Sequence, residues 1–227
     1  MSALVSKDIF SFLKKLEKNN NRDWFNENKP EFKTIEQEAK SFYNTLLDTV
    51  KVHDDIDKLK IFRIYRDVRF SKNKLPYKTH FGGSLHRVKP KLRGGYYLHL
   101  QPNNESFIAT GFWQPEKEDL LRIRKEFEMD DEEIRDILAN KDFNSIWGSS
   151  FEGDELKTAP KGFDKTHKAI DLIKKKQYFF TKKYTDKEVL SPGFLSDIDN
   201  SFKAIRPFFD YMSDVLTTDL NGESLIN

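Results

Sequence analysis

Apolar positions along the first fifty residues recur in steps of three and four. Ile9, Phe10, Phe12, Leu13 and Leu16 form one such stripe behind Ser6, whose hydroxyl suits a helix N-cap. Asn19, Asn20 and Asn21 then end the helix, because asparagine competes for backbone hydrogen bonds and tolerates turns. Asp23 is expected to cap a second helix carrying Trp24 and Phe25. Phe32, Ile35, Ala39, Phe42, Leu46 and Val50 continue the stripe, with Pro30 in the first turn. His53-Asp54-Asp55 offers metal-ligand residue types but is read as a solvated loop.

The period then changes from 3.6 to two. Phe62, Ile64, Val68 and Phe70 alternate onto one face, interrupted by Arg66, and Arg63, Tyr65, Asp67 and Arg69 take the other, which predicts a strand. Phe81–Lys89 predicts a short strand. Gly95–Pro102 and Ser106–Gln114 predict two more, joined by a tight turn at Asn103-Asn104. Helical spacing returns after Pro115 with Leu120, Leu121, Ile123 and Phe127, and again over Asp130–Ala139. Trp147, Gly148 and Phe151 fall in an irregular stretch, Thr166 is expected to cap a helix reaching Lys176, and Gln177–Tyr184 predicts a last strand. Ser191-Pro192 opens a long helix with its stripe at Leu195, Ile198, Phe202, Ile205, Phe209, Met212 and Leu216, bent at Pro207. No repeat or linker interrupts this order. The expectation is one α+β domain over residues 1–227, with a central antiparallel sheet flanked by N- and C-terminal helices.

Composition supports a packed core: 20 Phe, 8 Tyr and 3 Trp in 227 residues, each aromatic burying about 150–250 Å². The absence of cysteine removes disulfides and thiolate chemistry. There is no charged region leading into an apolar run at the N-terminus, and no run of about 18 apolar residues, so a soluble cytoplasmic protein without a membrane partner is expected.

Charge changes the picture more. The window Lys60–His99 holds eleven Lys and Arg against Asp67 alone, a local charge of +10; with a chain total of +2, the other 187 residues carry −8. Arginine suits bidentate phosphate or carboxylate binding, lysine point-charge contact, and tyrosine and histidine orienting hydrogen bonds. The leading expectation is therefore a small phosphorylated or carboxylated ligand held by Arg63, Arg66, Arg69, Lys74 and Lys78. Tyr65, Tyr77, His80 and His99 would orient it, and Asp67 would position the arginines. A hydrolase or transferase with Asp67, His80 or His99 as catalytic candidates, and a tyrosine such as Tyr65, Tyr77 or Tyr97 assisting, is the alternative. Nucleic-acid binding is a third, less favoured reading, because the chain is near neutral and no reading motif occurs. A purely structural role for the segment, with Arg66 and Asp67 in a buried ion-pair network, competes with all three. His80, His86 and His99 are not spaced as a metal motif, no nucleotide-loop or hydrolase signature occurs, and neither metal nor cofactor is expected.

The run from Arg63 to Lys72, followed by Lys74 and Pro76-Tyr77-Lys78-Thr79-His80, resembles the signature of an uncharacterised family, domain of unknown function 2461. Asn21–Phe25, Tyr96–Leu100, Gly111–Pro115 and Pro160–Phe163 fit the same family. The resemblance covers nearly the whole chain and implies a single-domain protein of this size, with no reaction, cofactor or catalytic residue to carry over. Asn73 stands where an acidic residue is expected and Leu75 where threonine is usual, making this loop slightly more positive and less polar.

Overall fold

The structure, a computed structural model, describes residues 4–226. The N-terminal helices are α1 (Lys7–Lys18), α2 (Arg22–Glu27) and α3 (Lys29–Val50). Strands β1 (Ile56–Ile61), β2 (Phe81–Arg87), β3 (Gly95–Leu100) and β4 (Ser106–Phe112) follow. Helices α4 (Lys117–Met129), α5 (Glu132–Ala139), α6 (Lys141–Trp147) and α7 (Ile170–Ile173) precede β5 (Tyr178–Tyr184). The chain closes with α8 (Asp186–Val189), α9 (Phe194–Ala204) and α10 (Arg206–Thr217). The five strands form one antiparallel sheet in the order β1-β2-β3-β4-β5, so the fold is α+β as expected.

Contacts group the chain into two compact units. The first comprises residues up to Leu85, Tyr97–Ile108 and Lys183–Asn200; the second comprises His86–Tyr96, Ala109–Lys182 and the chain from Ser201. In the first unit, α1 and α3 meet through Phe12 and Phe32, whose ring centroids lie 5.8 Å apart, and Phe32 reaches Phe81 of β2. Tyr43 of α3 donates to the Leu98 carbonyl at 3.1 Å. A side chain at Gly83 would come within 2.7 Å of the Tyr43 ring, so the helix lies close on this face of the sheet. The second unit packs aromatic residues densely: Phe151, Phe180 and Phe208 have centroids 5.1–5.5 Å apart. Tyr96 sits 4.5 Å from Phe202, and Gly94, at φ +87°, leaves room for Phe209.

Local expectations and structure agree where the pattern is regular. Ser6 caps α1, and Asn103 and Asn104 adopt φ values of 70° and 63°, the left-handed pair of a hairpin turn. Four expectations are corrected. The cap of α2 is Asn21, which accepts from the Trp24 amide at 3.0 Å, and Asp23 lies inside the first turn. His53 is half-buried with Nε2 in hydrogen-bond contact with Asp199 at 2.8 Å, and Asp54 is buried, so this is no solvated loop. The helix expected from Thr166 to Lys176 shrinks to α7, because Asp164 accepts from the Thr166 amide and makes a turn there. Trp147, expected in an irregular stretch, instead closes helix α6, which Asn140 caps.

The largest correction concerns residues 62–70, which are not a strand. The edge strand lies just before them, in β1. The Phe62 amide makes a last bond to the Gly82 carbonyl at 2.9 Å, and the chain then leaves the sheet. It returns at β2 after an excursion paired with itself: Tyr65 bridges Tyr77, flanked by Arg66 N–H to the Pro76 carbonyl at 2.9 Å and Lys78 N–H to the Ile64 carbonyl at 2.8 Å. Ile64 is buried, yet Phe70 is 96% exposed, so the alternation does not mark a buried face.

Candidate functional site

All the sequence-nominated residues lie in the first unit, in the 62–80 excursion and on β3. The base of the excursion is held to the helices. Asn20 brackets Tyr77, accepting from its amide at 3.1 Å and donating to its carbonyl at 3.0 Å. The Tyr77 ring stacks on Phe25 of α2, with centroids 3.9 Å apart and planes 16° apart, and Tyr65 meets both rings. Tyr77 is buried, and burial raises its hydroxyl pKa. It is a packing residue.

The loop beyond this base consumes three more of the nominated groups. Arg69 forms a two-point fork on Asp67, Nε to Oδ1 at 3.0 Å and Nη2 to Oδ2 at 2.7 Å, and the Asp67 carboxyl is held below its usual pKa chiefly by that contact. Lys74 donates to the Val68 carbonyl at 2.9 Å. Asp67 thus positions Arg69 rather than the arginines as a set. The buried Arg66–Asp67 network does not form: Asp67 is exposed, and the only side-chain partner of half-buried Arg66 among the described residues is the Ser71 hydroxyl at 3.5 Å.

What remains is a smaller cluster: Arg63, Arg66, Lys78, His80 and His99. Among the described residues, no carboxylate lies within ion-pair distance of Arg63, Arg66 or Lys78. Lys78 sits over the Phe62 ring, 5.4 Å from its centroid. Its pKa is lowered by burial and by the charges of Arg63 and Arg66. His80 lies against His99, ring centroids 4.1 Å apart. Burial, then His99, Lys78 and Arg66, bring His80 down to about 3. His80 is neutral at pH 7, held so by a cationic and desolvated setting.

His99 has a different environment, built along one face of β3 and across to β4. Gln101 donates its amide to Glu105, which turns its oxygen toward His99 Nε2 at 2.9 Å. That contact sets the Nε2–H tautomer, and Nδ1 accepts from the Tyr97 hydroxyl at 3.0 Å. Phe107 of β4 stacks on the ring with centroids 4.6 Å apart. Burial lowers the His99 pKa, while Gln101 and Glu105 oppose that shift. Gly82 makes the arrangement possible: a side chain there would come within 2.6 Å of the Tyr97 oxygen. Gln101, Glu105 and Phe107 were missed from sequence, although the alternation Tyr97, His99, Gln101 had already placed three of the ring-and-amide groups on one face.

A cleft of about 480 Å³ in the same unit is lined by Asn20, Arg22, Val68, Lys74 and Pro76 and contains none of the five cluster residues. Among the described residues no group of three His, Asp or Glu is arranged to hold a metal ion, and no helix is long and apolar enough to cross a membrane.

No curated protein and no solved structure matches the chain. A family model does, over residues 8–211, spanning the N-terminal helices, the basic excursion, the sheet and the first half of α10. The chain belongs to the conserved hypothetical protein family of domain of unknown function 2461.

Proposed function

We propose that this protein binds a phosphorylated or carboxylated small molecule in the cytoplasm, its anionic group held by Arg63, Arg66 and Lys78 and oriented by His80 and His99. The observation that carries the reading is three close cations without a carboxylate partner. Burial first, and then the neighbouring arginine charges, lower the pKa of Lys78, and burial with His99, Lys78 and Arg66 does the same to His80. At about 6 Å in an effective dielectric near 20, a like-charged pair costs roughly 3 kcal/mol before salt screening. A bound anion reverses that sign and accepts from Arg63 and Lys78, and from Arg66 beyond its long contact to Ser71.

Thermal shift against phosphate, sulfate, phosphomonoesters and dicarboxylates tests the reading. At 100 times its dissociation constant a ligand stabilises by about 2.7 kcal/mol. That gain should vanish in Arg63→Ala/Lys78→Ala and persist in Arg69→Ala, whose guanidinium is already occupied by Asp67. Equal loss in both variants, or no stabilisation by any anion, would sink the proposal.

A hydrolase or transferase reading draws support from the histidine pair. Both nitrogens of His99 are engaged, which leaves neutral His80 as the ring with nitrogens open to a substrate, although its pKa of about 3 makes it a weak base. In that case His80→Ala abolishes turnover of a phosphomonoester or other ester and retains anion binding. Duplex or single-stranded oligonucleotides in a salt series separate off nucleic-acid binding, whose affinity falls steeply with salt.

A further inference from the structure

Phe70 stands 96% exposed on a loop that is firmly shaped. Lys74 donates to the Val68 carbonyl at 2.9 Å and reaches that of Arg69 at 3.4 Å. The Ser71 amide returns to Val68 at 3.3 Å, and Asn73 accepts from the Leu75 amide at 2.9 Å. The Arg69 guanidinium, fixed by Asp67, lies 5.9 Å from the Phe70 ring centroid. The loop's polar groups are thus spent on presenting an aromatic ring to water among Arg69, Lys72 and Lys74. Leaving such a ring exposed forgoes the gain of burying it, and nothing in the anion cluster uses it.

The second unit carries a cleft of complementary charge. A cleft of about 670 Å³ between α5, α6 and the α9–α10 junction is lined by apolar Ile137, Phe143 and Pro207 and by the acids Glu132, Glu133, Asp136 and Asp142, with Lys203 as its one cation among the described residues. Among the described residues no cation pairs with any of these four acids. A cavity of about 150 Å³ already accepts benzene, so there is room for a phenylalanine ring with its flanking side chains. Apolar lining meets aromatic ring, and unpaired acids meet the loop's lysines.

We infer that this chain associates with a second copy of itself, the 66–76 loop of one copy inserting Phe70 into the acid-rimmed cleft of the other. Charge complementarity steers the encounter, and the buried ring supplies the anchor. With one anchor per contact the association belongs to the weak, transient class, and it is weakened by salt. Aligning the two copies is independent of whether an anion occupies Arg63, Arg66 and Lys78.

Sedimentation velocity of the full chain over a concentration series, at low and at high salt, tests this. The wild-type protein should sediment faster as concentration rises, less so in high salt. Phe70→Ser and Glu133→Lys/Asp136→Lys should each remain monomeric at least tenfold higher in concentration. A mixture of the two variants should recover association, because one copy keeps an intact cleft and the other an intact loop. A wild-type protein that stays monomeric throughout overturns the inference, as does a mixture that fails to recover. Phe70-dependent capture of a monomeric wild-type protein on phosphatidylserine vesicles would also overturn it, in favour of a lipid surface.

Discussion

Two sets of arginines in this molecule are treated in opposite ways. Arg87, on β2 in the second unit, is 1% exposed, and its guanidinium is met on every side described. Nη1 donates to the Arg93 carbonyl at 2.9 Å and lies 3.4 Å from the Ser213 hydroxyl, Nη2 reaches Asp210 at 3.4 Å, and the Phe209 ring lies 5.1 Å away. Arg63 and Arg66, in the first unit, keep more solvent and have no carboxylate. A guanidinium can be withdrawn from water only when hydrogen-bond acceptors replace the solvent. Arg87 meets that condition inside the protein, so its role is structural. Arg63 and Arg66 do not, which is why an external anion is the natural partner to propose for them.

The sharpest way to break this comparison is to truncate both kinds. Arg87→Ala should cost about 2–5 kcal/mol in urea denaturation, since it empties a fully buried site against Phe209 and takes a donor from the Arg93 carbonyl. Arg63→Ala and Arg66→Ala should stay within about 0.5 kcal/mol. If Arg66→Ala matches Arg87→Ala, Arg66 is structural after all. Next in size, Tyr77→Ala should cost about 3 kcal/mol by removing the stack on Phe25, and should weaken anion stabilisation too, because Tyr77 anchors the ladder that positions Arg66 and Lys78. A variant that lost stability while keeping full anion response would show the cluster to be independent of that anchor.

Gly82→Ala sharpens the picture at the histidines. It pushes on the Tyr97 oxygen at a cost of about 1–2 kcal/mol, and the imidazole nitrogen shifts of His99 in NMR should change as the Tyr97 contact is lost. Unchanged shifts would mean that Tyr97 does not hold the ring. The smallest effect is on pH dependence. His80 has a folded pKa near 3 against about 6.5 unfolded, so the unfolded chain binds the extra proton between those values. Stability is complete above pH 6.5 and falls as pH drops toward 3. At pH 5.5 the loss is at most about 1.4 kcal/mol, less with solvent screening. The difference between wild type and His80→Asn across that window measures it, and identical pH profiles would remove His80 from the cationic cluster.

Much of the fold was legible because its signals are local. The stripes of α1, α3 and α10, the alternation of β3 and β4, and the Asn103-Asn104 turn each follow from residues a few positions apart. The edge strand β1, Ile56–Ile61, was not legible: its polar, lysine-bearing pattern is what an unpaired edge requires, and it leaves almost no hydrophobic signature. The period-two run at 62–70 misled for the opposite reason, since alternation shows that residues share a side and says nothing about whether that side is covered.

The candidate site divides along the same line. Charge segregation is a property of the covalent chain, and it marked out the segment that holds Arg63, Arg66 and Lys78. Which charges remain available is decided through space. Asp67 takes Arg69, the Val68 carbonyl takes Lys74, Phe25 takes Tyr77, and β3 brings His99 against His80. The sequence by itself determined the charge, the periodicities and the family signature. Only the tertiary structure decided which cations lack a partner, because electrostatic and hydrogen-bond pairing fall off with distance in space rather than along the chain.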